Sequence, residues 1–192
     1  MSHSILTAAR RCYLRLGVHK TTMADIASEA GISRATLYRR FANRDEIFVE
    51  VLSIESDEMA ADSVRVLEGV TEPAERVVEG ILFCIAEVPK RPLHHHFFTG
   101  ESATWSAHQT LGSDALRRIS RSLLGLSLQT DEGLVADPTF LDDLAEWVLR
   151  ILVSFVTIPS SRCPDPESLR RMLRSLLAPA VQAAVDSKGE SP

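Results

Sequence analysis

Apolar residues recur along this chain at spacings of three and four and nowhere in strict alternation, so the pattern predicts helices throughout and no sheet. Ile5, Ala8, Ala9, Cys12 and Leu16, with Tyr13 beside them, mark a first helix over 4–16, ended by Gly17. A longer one over 44–67 carries Ile47, Phe48, Val51, Leu52 and Ile54, then Met59, Ala60, Val64 and Leu67, without an internal Gly or Pro. At 1.5 Å per residue it extends about 35 Å, enough to join two halves of a molecule. Ala74, Val77, Val78, Ile81, Leu82 and Ile85 follow the Glu72-Pro73 start, residues 101–110 hold a short helix with Trp105, and Ser113 to Leu128 form a clearer one ending at the turn 130–133. Asp137-Pro138 and Asp165-Pro166 each pair an N-cap with a first-turn proline. They start helices through Ile158, stopped by Pro159, and through Leu177, kinked or ended by Pro179, with a polar, frayed tail beyond.

Between the first and the long helix the punctuation is denser. Thr22 caps a helix from Met23 to Ala30, with Asp25 three residues on as in a capping box. Gly31 stands where a left-handed residue is needed, and Ser33 caps a second helix reaching about Arg40. Ile26, Ala27 and Ala30 face Ile32 and Leu37 across the turn. Two short helices joined through a glycine make a helix-turn-helix. The outer side of the second carries Arg34, Thr36, Tyr38, Arg39 and Arg40, residue types that bond phosphates and base edges. The hydroxyls of Thr21 and Thr22, at a helix N-terminus, suit a phosphate oxygen.

Charge changes the picture only through its distribution. The net charge of −5 argues against a polyanionic partner. Residues 1–44, however, hold eight Lys/Arg against two acids, and residues 45–192 hold 13 against 24. A basic head on an acidic body meets nucleic acid through the head alone. Cys12, Cys84 and Cys163 are odd in number and lack C-x-x-C spacing, which suits buried hydrophobes in a reducing cytoplasm. Arg10 and Arg11 interrupt the one early apolar stretch, so no signal peptide is expected, and the longest uncharged run of the C-terminal region, 151–161, is too short to span a bilayer.

The string TTMADIASEAGISRATLYRRFANRDEIF resembles the TetR family of transcriptional regulators. The likeness rests on Thr21-Thr22, Ile26-Ala27, Ala30-Gly31-Ile32-Ser33, Thr36-Leu37-Tyr38, Phe41 and Arg44-Asp45-Glu46. It implies an N-terminal helix-turn-helix domain over 1–45 and a helical ligand-binding and dimerisation domain over 46–192. It also implies a homodimer on a palindromic double-stranded operator, most often as a repressor released by a small-molecule effector. By position, Arg34, Ala35 and Arg39 match base-facing residues, while Thr22, Ser33, Thr36, Tyr38, Arg40 and Arg44 match backbone-contacting ones. Arg40 stands where the family often has His, and Arg44 where it usually has Lys. Arg34 and Arg39 favour guanine, whose O6 and N7 accept a guanidinium fork.

Elsewhere the signals are looser. The helix from Asp137 is apolar over more than one stripe, and the next carries a second wide apolar face, as a two-fold four-helix interface requires. Trp147, Ile151, Phe155, Leu169, Leu173 and Leu176 are its candidates. Phe83, Phe97 and Trp105, with Phe98, are candidates to line a cavity for an apolar or aromatic effector, with plain core packing as the alternative. His94-His95-His96 invites a metal-sensing reading, but helical neighbours point about 100° apart, and Glu101 is the nearest acid. Lining a pocket and a solvated cluster remain as its other readings. No nucleophile elbow, phosphate loop or zincin helix is present, so no enzyme and no cofactor are expected. A ligand-independent architectural DNA-binding protein is the alternative function.

Overall fold

Thr22, Ser33, Asn43, Ser113, Asp137 and Asp165 all accept hydrogen bonds from first-turn N–H groups. These caps satisfy donors that no helix can satisfy itself, and so set where the helices begin. The computed structural model describes residues 2–100, 103–130, 133–134, 137–158 and 160–189. The expected roles of Glu101 and Pro159, the middle of the turn at 131–132 and the end of the tail at 190–192 lie outside those residues. The helices are α1 (Ser2–Leu16), α2 (Met23–Glu29), α3 (Arg34–Tyr38), α4 (Arg44–Val66), α5 (Pro73–Glu87), α6 (Pro92–Phe98), α7 (Ala103–Leu111), α8 (Asp114–Ser127), α9 (Pro138–Thr157), α10 (Pro166–Leu176) and α11 (Ala178–Gly189). A two-residue antiparallel pairing of Gln129–Thr130 with Gly133–Leu134 closes the turn after α8 and leaves the fold all-α.

The helical path breaks at Leu177, between α10 and α11, in keeping with a kink or end at Pro179; the proline sits in the first turn of α11, where its missing N–H leaves no bond unmade. One expectation about the elements needs correction. On α4, Ile54 and Val64 are exposed, although Ile47, Phe48, Val51 and Leu52 are buried as their spacing requires. The inward position next to Ile54 is instead taken by Glu55, buried and held at 2.6 Å by Arg10 of α1.

The head core joins Ile5, Tyr13, Ile26, Leu37, Ile47 and Phe48, and it continues without a gap into Leu93 and Phe97 of α6. A second core brings α5 together with α8, α9, α10 and α11 through Val78, Leu128, Leu141, Leu173 and Val181. α9 packs on α8, α7 and α5, while α10 packs on α5 and α11. Leu169 and Leu173 are buried in the protomer's own core and have no surface to offer a second subunit. Trp147 and Leu176 are exposed, at 46% and 66%, and Ile151 and Phe155 are half-buried.

Candidate nucleic-acid interface and body cavity

The turn between α2 and α3 is fixed by three local features. Gly31 adopts φ +66°, a left-handed conformation costly for any residue with a Cβ. Gly31 N–H donates to Ser28 O and Ile32 N–H to Ala27 O, and Leu37 is fully buried against Ile26 and Ala27. Thr22 and Asp25 form a reciprocal cap: Asp25 N–H donates to Thr22 Oγ1 at 3.2 Å, and Thr22 N–H donates to Asp25 Oδ2 at 2.8 Å. The Thr22 hydroxyl also donates to Asp25 Oδ2 at 2.6 Å, and this bond first, then that of the Thr22 N–H, holds the Asp25 carboxyl below its usual range.

α3 is one helical turn and a half, shorter than its sequence suggests, and Arg39 forms its C-cap. With Leu37 anchored inward, Arg34, Ala35, Tyr38, Arg39 and Arg40 are all exposed. Arg39 Nη2 donates to Thr36 Oγ1 at 3.2 Å, and that hydroxyl lies 3.0 Å from Ser33 Oγ, so the cap of α3 also steers Arg39.

Ion pairing sorts the basic residues of the head into two groups. Arg11 and Arg15 both bind Glu29, and Arg10 binds Glu55. Among the described residues, Lys20, Arg34, Arg39 and Arg40 have no carboxylate within ion-pair distance, and they cluster on α3 and the loop before α2. Arg44 is a special case. Its Nη1 donates to His19 O at 2.9 Å, and its guanidinium lies 5.3 Å from the Trp105 ring centre, tying the start of α4 to the loop before α2 and to α7. Thr21 is fully buried and its hydroxyl donates to Gly17 O, which corrects the reading of it as a phosphate ligand; Thr22 is exposed.

Of the four aromatic cavity candidates, Phe98 lines the body cavity and the other three sit elsewhere. Phe97 is fully buried at 4.7 Å from Phe48 and 5.8 Å from Tyr13, between head and body. Trp105 packs on Phe48 at 4.7 Å and His19 at 5.4 Å. Phe83 is half-buried on α5 and is not among the residues that line the cavity. That cavity, about 130 Å³, runs between α4, α5, α8 and α9 and is capped by His94 and Phe98 of α6. Aromatic content pointed to packing because large rings fill space, whereas a cavity needs small side chains. Ser56, Ser63, Gly80, Thr110, Ser120 and Ser127 face it, each in an otherwise apolar stripe, and that pattern was the available signal.

The histidine run divides. His94 is 1% exposed and lines the cavity, whereas His95 and His96 face solvent. No group of ligands suited to a metal exists among the described residues. Neither ring nitrogen of His94 has a partner, and burial pushes its pKa down to about 4, leaving a neutral imidazole. Arg76, also on the cavity wall, has a buried Nε with no acceptor. Sequence reasoning missed Arg76 altogether. No described helix is long and apolar enough to cross a membrane.

Comparison with known proteins gives one consistent answer. The profile of bacterial regulatory proteins of the tetR family matches residues 5–51. An HTH-type transcriptional regulator of Mycobacterium tuberculosis is 29% identical over 180 residues, covering 94% of this chain and 85% of the relative. The transcriptional repressor AcnR of Corynebacterium glutamicum is 26% identical over 148 residues, 74% of this chain and 76% of that protein. Among solved structures, the TetR family repressor AlkX of Dietzia, implicated in biodegradation of n-alkanes, superposes with a TM-score of 0.68 at 22% identity, over 96% of both chains. RolR in complex with resorcinol gives 0.64 at 19% identity, over 100% of this chain and 93% of that one.

Proposed function

Because the chain belongs to the TetR family, whose members are transcriptional regulators and not enzymes, we propose that it is a ligand-responsive repressor that binds a palindromic operator as a homodimer. The observation that carries this reading is the sorting of the head's cations. Those that brace α1 and α4 are neutralised by carboxylates, and those on α3 are left exposed and unpaired. Arg34, Ala35 and Arg39 read base edges in the major groove, with guanine opposite an arginine, while Thr22, Ser33, Thr36, Tyr38 and Arg40 meet the phosphate backbone. Arg44 serves from behind, holding the loop that presents Thr22, because its guanidinium is already bonded to His19 O.

Two subunits place two copies of α3 about one helical turn of DNA apart or a multiple of it. The exposed Trp147 and Leu176, with the half-buried Ile151 and Phe155, are the candidate subunit interface. The effector site is the body cavity, and coupling runs through α4 and α6. α4 contributes Phe48 to the head core and Leu52 to Leu67 to the cavity wall; α6 contributes Phe97 to the head core and His94 to the cavity. A ligand that prefers one setting of these helices lowers operator affinity by linkage.

Selection of bound duplexes from a random pool tests the reading. The expected product is an inverted repeat with guanine in each half-site, bound by a dimer that Trp147→Arg converts to monomers in sedimentation. Enrichment of asymmetric single sites, or of nothing, overturns it.

A further inference from the structure

The cavity walls are apolar apart from a few hydroxyls, most of them engaged. Ser63, Thr110, Ser120 and Ser127 each donate to a backbone carbonyl, at 2.7 to 3.2 Å. Two polar groups are different. His94 presents a ring with both nitrogens unpartnered at 1% exposure. A neutral imidazole has one donor and one acceptor to satisfy, and burying both unmet is costly. Arg76 presents a permanent cation. Its Nη1 reaches Gln129 O only at 3.4 Å, and its buried Nε has no acceptor. Among the described residues, the other half-buried arginines of the body all bind carboxylates: Arg91 with Asp62, Arg117 with Asp114, Arg121 with Asp142 and Arg170 with Glu79. Arg76 alone of this set faces the cavity and has none.

The two groups stand at opposite ends of the cavity. Arg76 is near the start of α5, bonded to the chain just after α8, while His94 follows the end of α5. Val88, at the far end of the α5 wall, lies 12 residues beyond Arg76, about 18 Å at the rise of a helix. We propose that the cavity takes an elongated amphipathic acid: its carboxylate pairs with Arg76, its apolar body runs along α4 and α5, and a hydroxyl or keto oxygen at the far end bonds His94. This rests on the body cavity being the effector site, as proposed above.

Calorimetric titration of the full-length protein with dodecanoate, dodecanol and ω-hydroxydodecanoate tests both ends. Dodecanoate is expected to bind at least about tenfold more tightly than dodecanol, and ω-hydroxydodecanoate more tightly than dodecanoate, as charge-assisted and neutral hydrogen bonds in a dry site require. Arg76→Leu should abolish the first preference, and His94→Phe should abolish the second alone. Equal binding of acid and alcohol by the native protein overturns the Arg76 end, and equal binding of the two acids overturns the His94 end, whether or not either variant folds. If the protein selects a palindromic duplex yet binds none of the three probes, the ligand class falls and the regulator reading stands. If the probes bind with these preferences and no duplex is selected, the reverse holds.

Discussion

The head and the body leave different things unsatisfied. In the head, cations without a carboxylate partner point outward: Arg34, Arg39 and Arg40 stand exposed on and just after α3 while the neighbouring arginines of α1 are held by Glu29 and Glu55. In the body, His94 and Arg76 face a cavity without such partners while the other half-buried arginines are paired. Exposed cations are solvated at little cost and wait for a polyanion. Buried unpartnered groups carry a standing penalty that a small molecule can remove. The contrast separates a surface made for DNA from an interior made for a ligand, and each half can be perturbed without the other.

The largest effect belongs to the outward set. An Arg34→Ala, Arg39→Ala double variant removes two candidate guanidinium–guanine contacts, each worth about 1–3 kcal/mol of discrimination. Operator preference over unrelated duplex should fall by at least about a hundredfold in fluorescence anisotropy. Thermal stability should stay near that of the parent, because both side chains are exposed and neither has a carboxylate partner. A variant that keeps full discrimination would show that α3 is not the reading element.

The inward set predicts a pH dependence. The His94 pKa is lowered to about 4 by burial, against an ordinary value of 6.5; Glu55 acts to raise it and Arg91 to lower it further. A histidine with a depressed folded pKa binds its proton more readily when unfolded. Stability is therefore complete above about pH 6.5 and declines as pH falls toward 4, by about 3 kcal/mol from this group. Denaturant melts across that window should show the slope in the parent and lose most of it in His94→Phe. A parent with no excess slope over His94→Phe would mean the ring is hydrated.

Between the two regions, Arg10 and Glu55 form a clasp from α1 to α4 in which the carboxylate is buried and the arginine half-exposed. Arg10→Ala leaves Glu55 buried and unpaired, and should cost about 2 kcal/mol, less than a fully enclosed pair because one partner is solvated. Adding Glu55→Gln should recover part of it. Full additivity of the two substitutions would show that the pair is not coupled.

How much of this was legible in the sequence follows the same division. The head is built from local rules. Caps at Thr22, Ser33 and Asn43, the left-handed Gly31 and the anchor Leu37 act within a few residues, so its elements and its exposed arginines could be read directly. The body depends on which helices meet. α9 and α10 each carry wide apolar faces, but nothing local says that α10 docks on α5 and α11, which buries Leu169 and Leu173. Phe97 and Trp105 were the conspicuous candidates for a cavity and turned out to fill the seam, since large rings close space. The cavity was written in small residues, and Arg76 had no distinguishing neighbour in the chain.

Glycine gives the finest version of the comparison, with the same substitution expected to act in opposite directions. Gly31 has φ +66° and open space where a Cβ would project, so Gly31→Ala meets no clash and suffers only backbone strain, about 1–2 kcal/mol. Gly80 is helical, and a Cβ there would lie 3.6 Å from Leu67 Cδ1, an ordinary contact on the cavity wall. Gly80→Ala should therefore stabilise by up to about 1 kcal/mol through helix propensity, while narrowing the space for a ligand. Chemical denaturation of the two variants should give shifts of opposite sign. Operator affinity should fall with Gly31→Ala, because the turn sets the angle of α3, and hold with Gly80→Ala, whose effect belongs to ligand response. Equal shifts in the same direction would mean that the turn tolerates another conformation, and that the angle of α3 is set by Leu37 in the core and not by its turn.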